Sequence, residues 1–216
     1  MRPGSNRATI GYSLLMLAFV SVLRLEVDEA ERLLAELHSI VVQETETYHE
    51  GWPEVIEAFV ARAKGDEAKA VDVLVDGARR HADRLEPWGG QLLLLECVRS
   101  LVRQGRANDS TTFRDGLARL AERSASAEAF LAWADGLLER DPRIAHRMLS
   151  QAAERFEALG RRLDLGRCLA DLAAAERRLG EDPIATLARA RDVLASCGAA
   201  LFVRELGASV PAEGDG

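Results

Sequence analysis

The chain is 216 residues long, 48% hydrophobic and 29% charged, with 5% aromatics and a net charge of −7 at pH 7. This is the composition of a folded globular chain with enough length for a substantial core, and it excludes disorder along most of the sequence. Acidic residues outnumber basic ones in both halves, which excludes an electropositive track for a phosphate backbone and argues against direct nucleic-acid binding.

Ala, Leu, Arg and Glu dominate, and long β-branched runs with period-two alternation are missing, so the predicted fold class is all-α. The first predicted helix covers 8–24. Arg2 and Arg7 ahead of the apolar run Ile10–Leu23 resemble a secretory signal, but the 14-residue run is too short to cross a bilayer. It has no small-x-small cleavage site and flows straight into an acidic turn, so it reads as the first helix of a stack. A second helix over 28–43 opens on Asp28 and Glu29, whose charge suits the helix dipole. The third opens at Pro53 and ends at Lys64, where Gly65 permits the turn, and the fourth runs to about Leu85. Pro87 opens the fifth, with Leu92–Leu95 at its apolar centre and Gly105 at its end.

Asn108–Thr111 offers N-caps for the sixth, and Ser124–Ser126 separates it from a seventh containing Phe130 and Trp133. Asp141-Pro142 starts the eighth, which Gly160 stops. The ninth spans about 163–179, and Asp182-Pro183 starts the tenth. A short apolar piece over 199–203 follows, and the tail is expected to be disordered. This gives about ten helices in one predicted domain over 1–208, with a disordered tail over 209–216.

One phrase recurs: an apolar helix, a short acidic turn, then an alanine near the start of a second helix. It occurs at Leu25–Ala30, Gly65–Ala70, Arg140–Ala145 and Gly180–Ala185. Recurrence at roughly 40 residues marks stacked helix pairs that cannot bury their apolar faces alone. The short linkers make neighbours antiparallel and leave a solenoid and a closed bundle open.

Ala58, Gly65 and Ala70 carry a small residue, a turn and a second small residue at fixed spacing, with Gly77 at a further small position. Ala173, Gly180 and Ala185 repeat the triplet, and Ala18, Leu25 and Ala30 repeat it without the turn glycine. This pattern resembles tetratricopeptide repeats. The stretches around Gly105 and Asp141 fit loosely, and several large aromatic positions are filled by Leu or Arg. Gln151–Gly160, Leu163–Ala170 and Leu187–Ala199 are similar to the helical-repeat region of large bacterial multidomain regulators, in which an ATPase core precedes the repeats and a LuxR-type DNA-binding or cyclase domain sits elsewhere. The resemblance implies a tetratricopeptide-like α-solenoid that serves as a sensor or scaffold arm. The sequence has no G-x-x-x-x-G-K-[ST] phosphate loop and no basic helix-turn-helix after the repeats, so it resembles the arm without the engine.

The chemistry-bearing residues are dispersed. Cys97, Cys168 and Cys197 lack metal or disulfide spacing and suit a reducing cytosol. His38, His49, His81 and His146 are scattered, and His49-Glu50 lacks the second histidine that a zinc helix needs. Glu44 and Glu46 near it read as solvated. Asp72 and Asp76, with Arg79 and Arg80 after them, read as a solvated stripe rather than an acid–base pair. Ser110, Ser124, Ser126 and Ser150 read as caps or helix residues, with no G-x-S-x-G elbow. No catalytic, cofactor or metal residue is assigned.

A recognition groove is the better reading. Trp52, Val55, Phe59 and Arg62 form one helical stripe, with Arg99 and Arg177 at similar register, and aromatic and Arg side chains anchor protein recognition. Such aromatics also pack simply against a neighbouring pair. The expected function is therefore a non-enzymatic, cytoplasmic interaction module for a protein or peptide, without a cofactor. The alternative is an all-α enzyme or small-ligand binder with a cavity between helices. The apolar first helix, lacking a polar cap, is expected to pack on another copy, on an upstream domain or on the chain's own end.

Overall fold

The computed structural model describes residues 4–41, 51–82 and 86–208. They form eleven α-helices and one 3-10 turn, with no strand among the described residues. In chain order the helices are α1 (Gly4–Leu23), α2 (Val27–Val41), α3 (Trp52–Ala63), α4 (Glu67–Arg80), α5 (Pro87–Arg103), α6 (Thr111–Ala121), α7 (Ala125–Leu138), α8 (Pro142–Ala158), α9 (Arg162–Leu179), α10 (Ile184–Ser196) and α11 (Ala200–Ala208). The tail expected to be disordered over 209–216 lies outside the described residues, as do His49, Glu44 and Glu46.

Each helix packs on the next along the chain, and α1, α3, α5 and α7 also pack on one another in series. Local signals fix the joints. Asp66 accepts from the Lys69 amide, Ser124 from that of Ala127, and Asp141 from those of Arg143 and Ile144. Each satisfies amides that a helix start leaves open.

The turn after α3 has a closed pattern, in which the Asp66 amide donates to Ala61 O and the Gly65 amide to Arg62 O, both at 2.9 Å. This is a Schellman turn, and it needs a residue with positive φ, here Gly65 at 83°. The same bonds recur at Leu25 and Gly105, 40 residues to either side of Gly65, with φ 64° and 71°. The first copy therefore makes the glycine-type turn with a leucine. Ala18, Ala30, Ala58 and Ala70 are fully buried at the flanking small positions, and Val98 and Ser110 take those places at the third turn.

The C-terminal copy departs from this. Gly180 makes the turn, and Ala173 is buried, but Ala185 is exposed. In its place Leu194 packs on Gly166, where an added Cβ would lie 2.7 Å from the Leu194 Cγ. The α7–α8 joint has no positive φ among its residues, and Glu139 leaves α7 extended.

The apolar piece over 199–203 is part of an eleventh helix. Gly198, at φ 68°, ends α10 with the same Schellman pairing, and Leu201, Phe202 and Leu206 are then buried. Burial of these three side chains compensates for the shortness of a nine-residue helix, which is marginal alone. α11 packs on α10 and reaches back to α1, so the chain's own end contributes to covering the first helix. Ile10, Tyr12, Leu17 and Val20 nevertheless remain 42–55% exposed along α1. No helix among the described residues is long and apolar enough to cross a membrane.

Candidate functional site

The middle of α5 decides where the inner faces meet. Residues 89–101 are all buried, although Gln91, Glu96, Arg99 and Ser100 are polar. An all-round apolar helix is expected at the centre of an array, but a fully buried carboxylate there needs partners. Glu96 finds them on two other helices and on its own. It accepts from Arg62 Nη1 of α3 at 2.6 Å, from Arg99 Nη1 at 3.4 Å, and from Arg167 Nη2 of α9. Arg62 also donates to Ser100 Oγ.

A second carboxylate, Asp171 of α9, accepts from Arg99 Nε at 2.9 Å and from the Trp133 indole N–H of α7 at 2.8 Å. Asp164 accepts from Arg161 Nε at 2.7 Å and lies 3.9 Å from Arg167 Nη1. Arg62, Arg99 and Arg167 thus meet Glu96, Asp164 and Asp171 in a charge-balanced cluster. Aromatic rings enclose it: the Arg167 guanidinium lies 4.4 Å from the Phe202 ring centre and 5.5 Å from those of Phe59 and Trp133. Such cation–π contacts reach about 2 kcal/mol when desolvated.

Burial alone would raise the Glu96 carboxyl, but the guanidiniums of Arg167, Arg62 and Arg99 outweigh it and hold it far below the usual carboxylate range. Glu96 is therefore a fixed anion that organises arginines. Burial pushes the Cys97 and Cys168 thiols up, which keeps them protonated and inert, while Cys197 is exposed.

Beside the cluster lies a half-open cleft of about 300 Å³ between α5, α7, α8, α9, α10 and α11. Its polar lining comprises Arg99, Arg103, Arg167, Arg177 and Arg178 with Asp171 and Glu205, and apolar residues, mostly Leu and Ala with Phe202, supply the rest. Arg178 is committed to the Glu139 and Arg140 carbonyls at the end of α7. Arg103 lies 3.5 Å from Glu205 of α11. The Arg99 guanidinium beside it, together with burial, lowers the Arg103 pKa, a sign of crowded positive charge.

The residues singled out in the sequence fall in two places. Phe59 is fully buried against Phe202 at 5.2 Å and Phe19 at 6.3 Å, which is the neighbour-packing arrangement, and Val55 is buried with it. Trp52 is half-buried edge-on to Phe19 and beside Trp88. Arg62 and Arg99 belong to the buried cluster, while Arg177 lines the cleft. Asp72 and Asp76 are exposed. His38, His81 and His146 each approach a glutamate of a neighbouring helix (Glu57, Glu54 and Glu176), and among the described residues no set of three His, Cys, Asp or Glu could hold a metal.

Glu96, Arg167, Asp171 and Phe202 escaped the sequence reading. The available signal was a carboxylate with an arginine three residues on, set inside the apolar run Leu92–Leu101. No protein-family model matches the chain, and no curated protein or solved structure does.

Proposed function

We propose that the chain is a non-enzymatic, cytoplasmic recognition scaffold: a tetratricopeptide-like α-solenoid of the kind that forms the repeat arm of bacterial signalling or transcription regulators. One observation carries the reading. The same left-handed turn recurs at Leu25, Gly65 and Gly105, with buried flanking positions, and α1, α3, α5 and α7 pack on one another in series. Repeats of this sort build extended binding surfaces, and the cleft lined by α5 and α9 is the surface we assign to the partner. The buried cluster supports the scaffold role by holding guanidiniums rigidly at the edge of that cleft. The partner is a protein or peptide, engaged without a cofactor and without nucleic acid, and a second copy is proposed to associate through the exposed stripe of α1.

Display selection with random peptides against the full chain tests this reading. Enrichment of peptides that bind at micromolar Kd and compete with one another is the expected result. Failure to enrich any peptide, with a small metabolite raising the melting temperature in its place, would overturn it.

A further inference from the structure

We infer that the cleft between α5, α9 and α11 recognises a carboxylate flanked by apolar side chains, presented on one helical turn of a partner protein. The inference rests on the scaffold reading and supplies the chemistry of its ligand.

Charge is the first argument. Outside the charge-balanced cluster, the cleft is lined by Arg103, Arg177 and Arg178 against Glu205, a local excess of two positive charges in a chain whose net charge is −7. Behind them Arg99 and Arg167 are anchored on Glu96 and cannot swing out to water, which fixes that wall of the cleft. Arg167 has a 2% exposed side chain that lines the cleft, and its Nε is buried without a hydrogen-bond partner. A buried donor left open costs stability, and it marks this wall of the cleft as short of acceptors.

The chain also displays the pattern that fits. On α11 the carboxylate of Glu205 approaches Arg103, flanked by Phe202 three residues before and Leu206 one residue after, and both lie against the same walls. An acid between two apolar anchors on one helical face is thus already accommodated at one side of the cleft. The remaining volume has room for a few side chains but not a whole helix, so the partner inserts one turn beside α11. Apolar walls lower the local dielectric and strengthen a guanidinium–carboxylate pair over its value in water.

The test uses the full chain and a fluorescein-labelled peptide copying residues 198–208, with a second peptide carrying Glu205→Gln. The first is expected to bind at least about tenfold more tightly, the ratio set by one charge-assisted hydrogen bond. Arg103→Gln, at a 40% exposed side chain where folding is not at stake, is expected to erase that ratio. Phosphate is expected to displace the peptide no better than chloride of equal ionic strength. Equal binding of the two peptides, no binding of either, an unchanged ratio in the Arg103 variant, or selective displacement by phosphate each overturns the inference. The scaffold reading fails separately: a display selection that enriches peptides without acids sinks the carboxylate site and leaves the scaffold standing.

Discussion

Replacing Glu96 by glutamine keeps the shape of the side chain and removes its charge. Glu96 is completely buried, and it is the acceptor shared by Arg62, Arg99 and Arg167. With it neutral, the three guanidiniums lose their common partner and keep Asp171, Asp164 at 3.9 Å and the partly exposed Glu67 at 3.5 Å, so the buried centre is left short of negative charge. Hydrogen bonds to charged groups are worth about 1.5–3 kcal/mol each, and the glutamine carbonyl retains part of that. Breaking a buried pair by removing one partner costs about 3–5 kcal/mol, and we expect Glu96→Gln to fall in that range. Against a typical total of about 5–15 kcal/mol this is a large fraction of the stability. Urea unfolding followed by circular dichroism reads it as a midpoint lowered by roughly 1–2 M at unchanged m.

The pH dependence carries the same signature. Folding lowers the Glu96 pKa, so the unfolded chain takes up the proton first. The stabilisation is complete above the unfolded value of about 4.3 and drains away as the pH falls further below it. The glutamine variant is expected to lose this part of the acid sensitivity. A variant within about 1 kcal/mol of the parent, or one with the parent's full acid slope, would refute the view that this carboxylate organises the centre.

Three further outcomes follow from single contacts. Gly65→Ala is expected to cost about 1 kcal/mol in urea unfolding, because φ is 83° there while an added Cβ meets nothing within 4 Å. Gly136→Ala is expected to cost about 1–3 kcal/mol, since its Cβ would lie 2.7 Å from Leu149 Cγ and 3.2 Å from the Leu149 amide nitrogen, and to narrow the cleft that both residues line. Leu17→Arg, on the most exposed apolar position of α1, is expected to abolish self-association in sedimentation velocity and leave the melting temperature within a few degrees; a parent that is monomeric at every concentration would refute the α1 contact.

The joints of the fold were legible because they are local. Proline starts, Asp and Ser caps and glycine stops each act over one turn of chain, and the helices open and close near them. The turn at Leu25 was legible only through spacing, since leucine gives no local hint of positive φ. The eleventh helix was hidden because nine residues show too little periodicity, and its stability comes from Phe202 and Leu206 docking on distant elements. The central cluster was illegible for a related reason. Arg62, Glu96, Arg167 and Asp171 look like ordinary residues of amphipathic helices, and only the three-dimensional closure of α3, α5 and α9 turns them inward. Sequence spacing pointed to Arg62 and Arg99 as groove residues without revealing that they face each other across Glu96.

A row of helix pairs held only by neighbour contacts melts gradually from its ends, each pair leaving at its own cost. Arg167 and Glu96 are 71 residues apart, and Arg99 and Asp171 are 72 apart, so these bonds skip over the intervening helices α6, α7 and α8. Unravelling α9 therefore strands Glu96 and Arg99 in α5, and loss of α3 takes Arg62 from the same Glu96. The helices from α3 to α9 are therefore expected to unfold together in one step, whereas α1 and α2 lie outside these bonds. The chain's folding, in turn, waits on closing those distant bonds, which makes it slower than helix content alone would set.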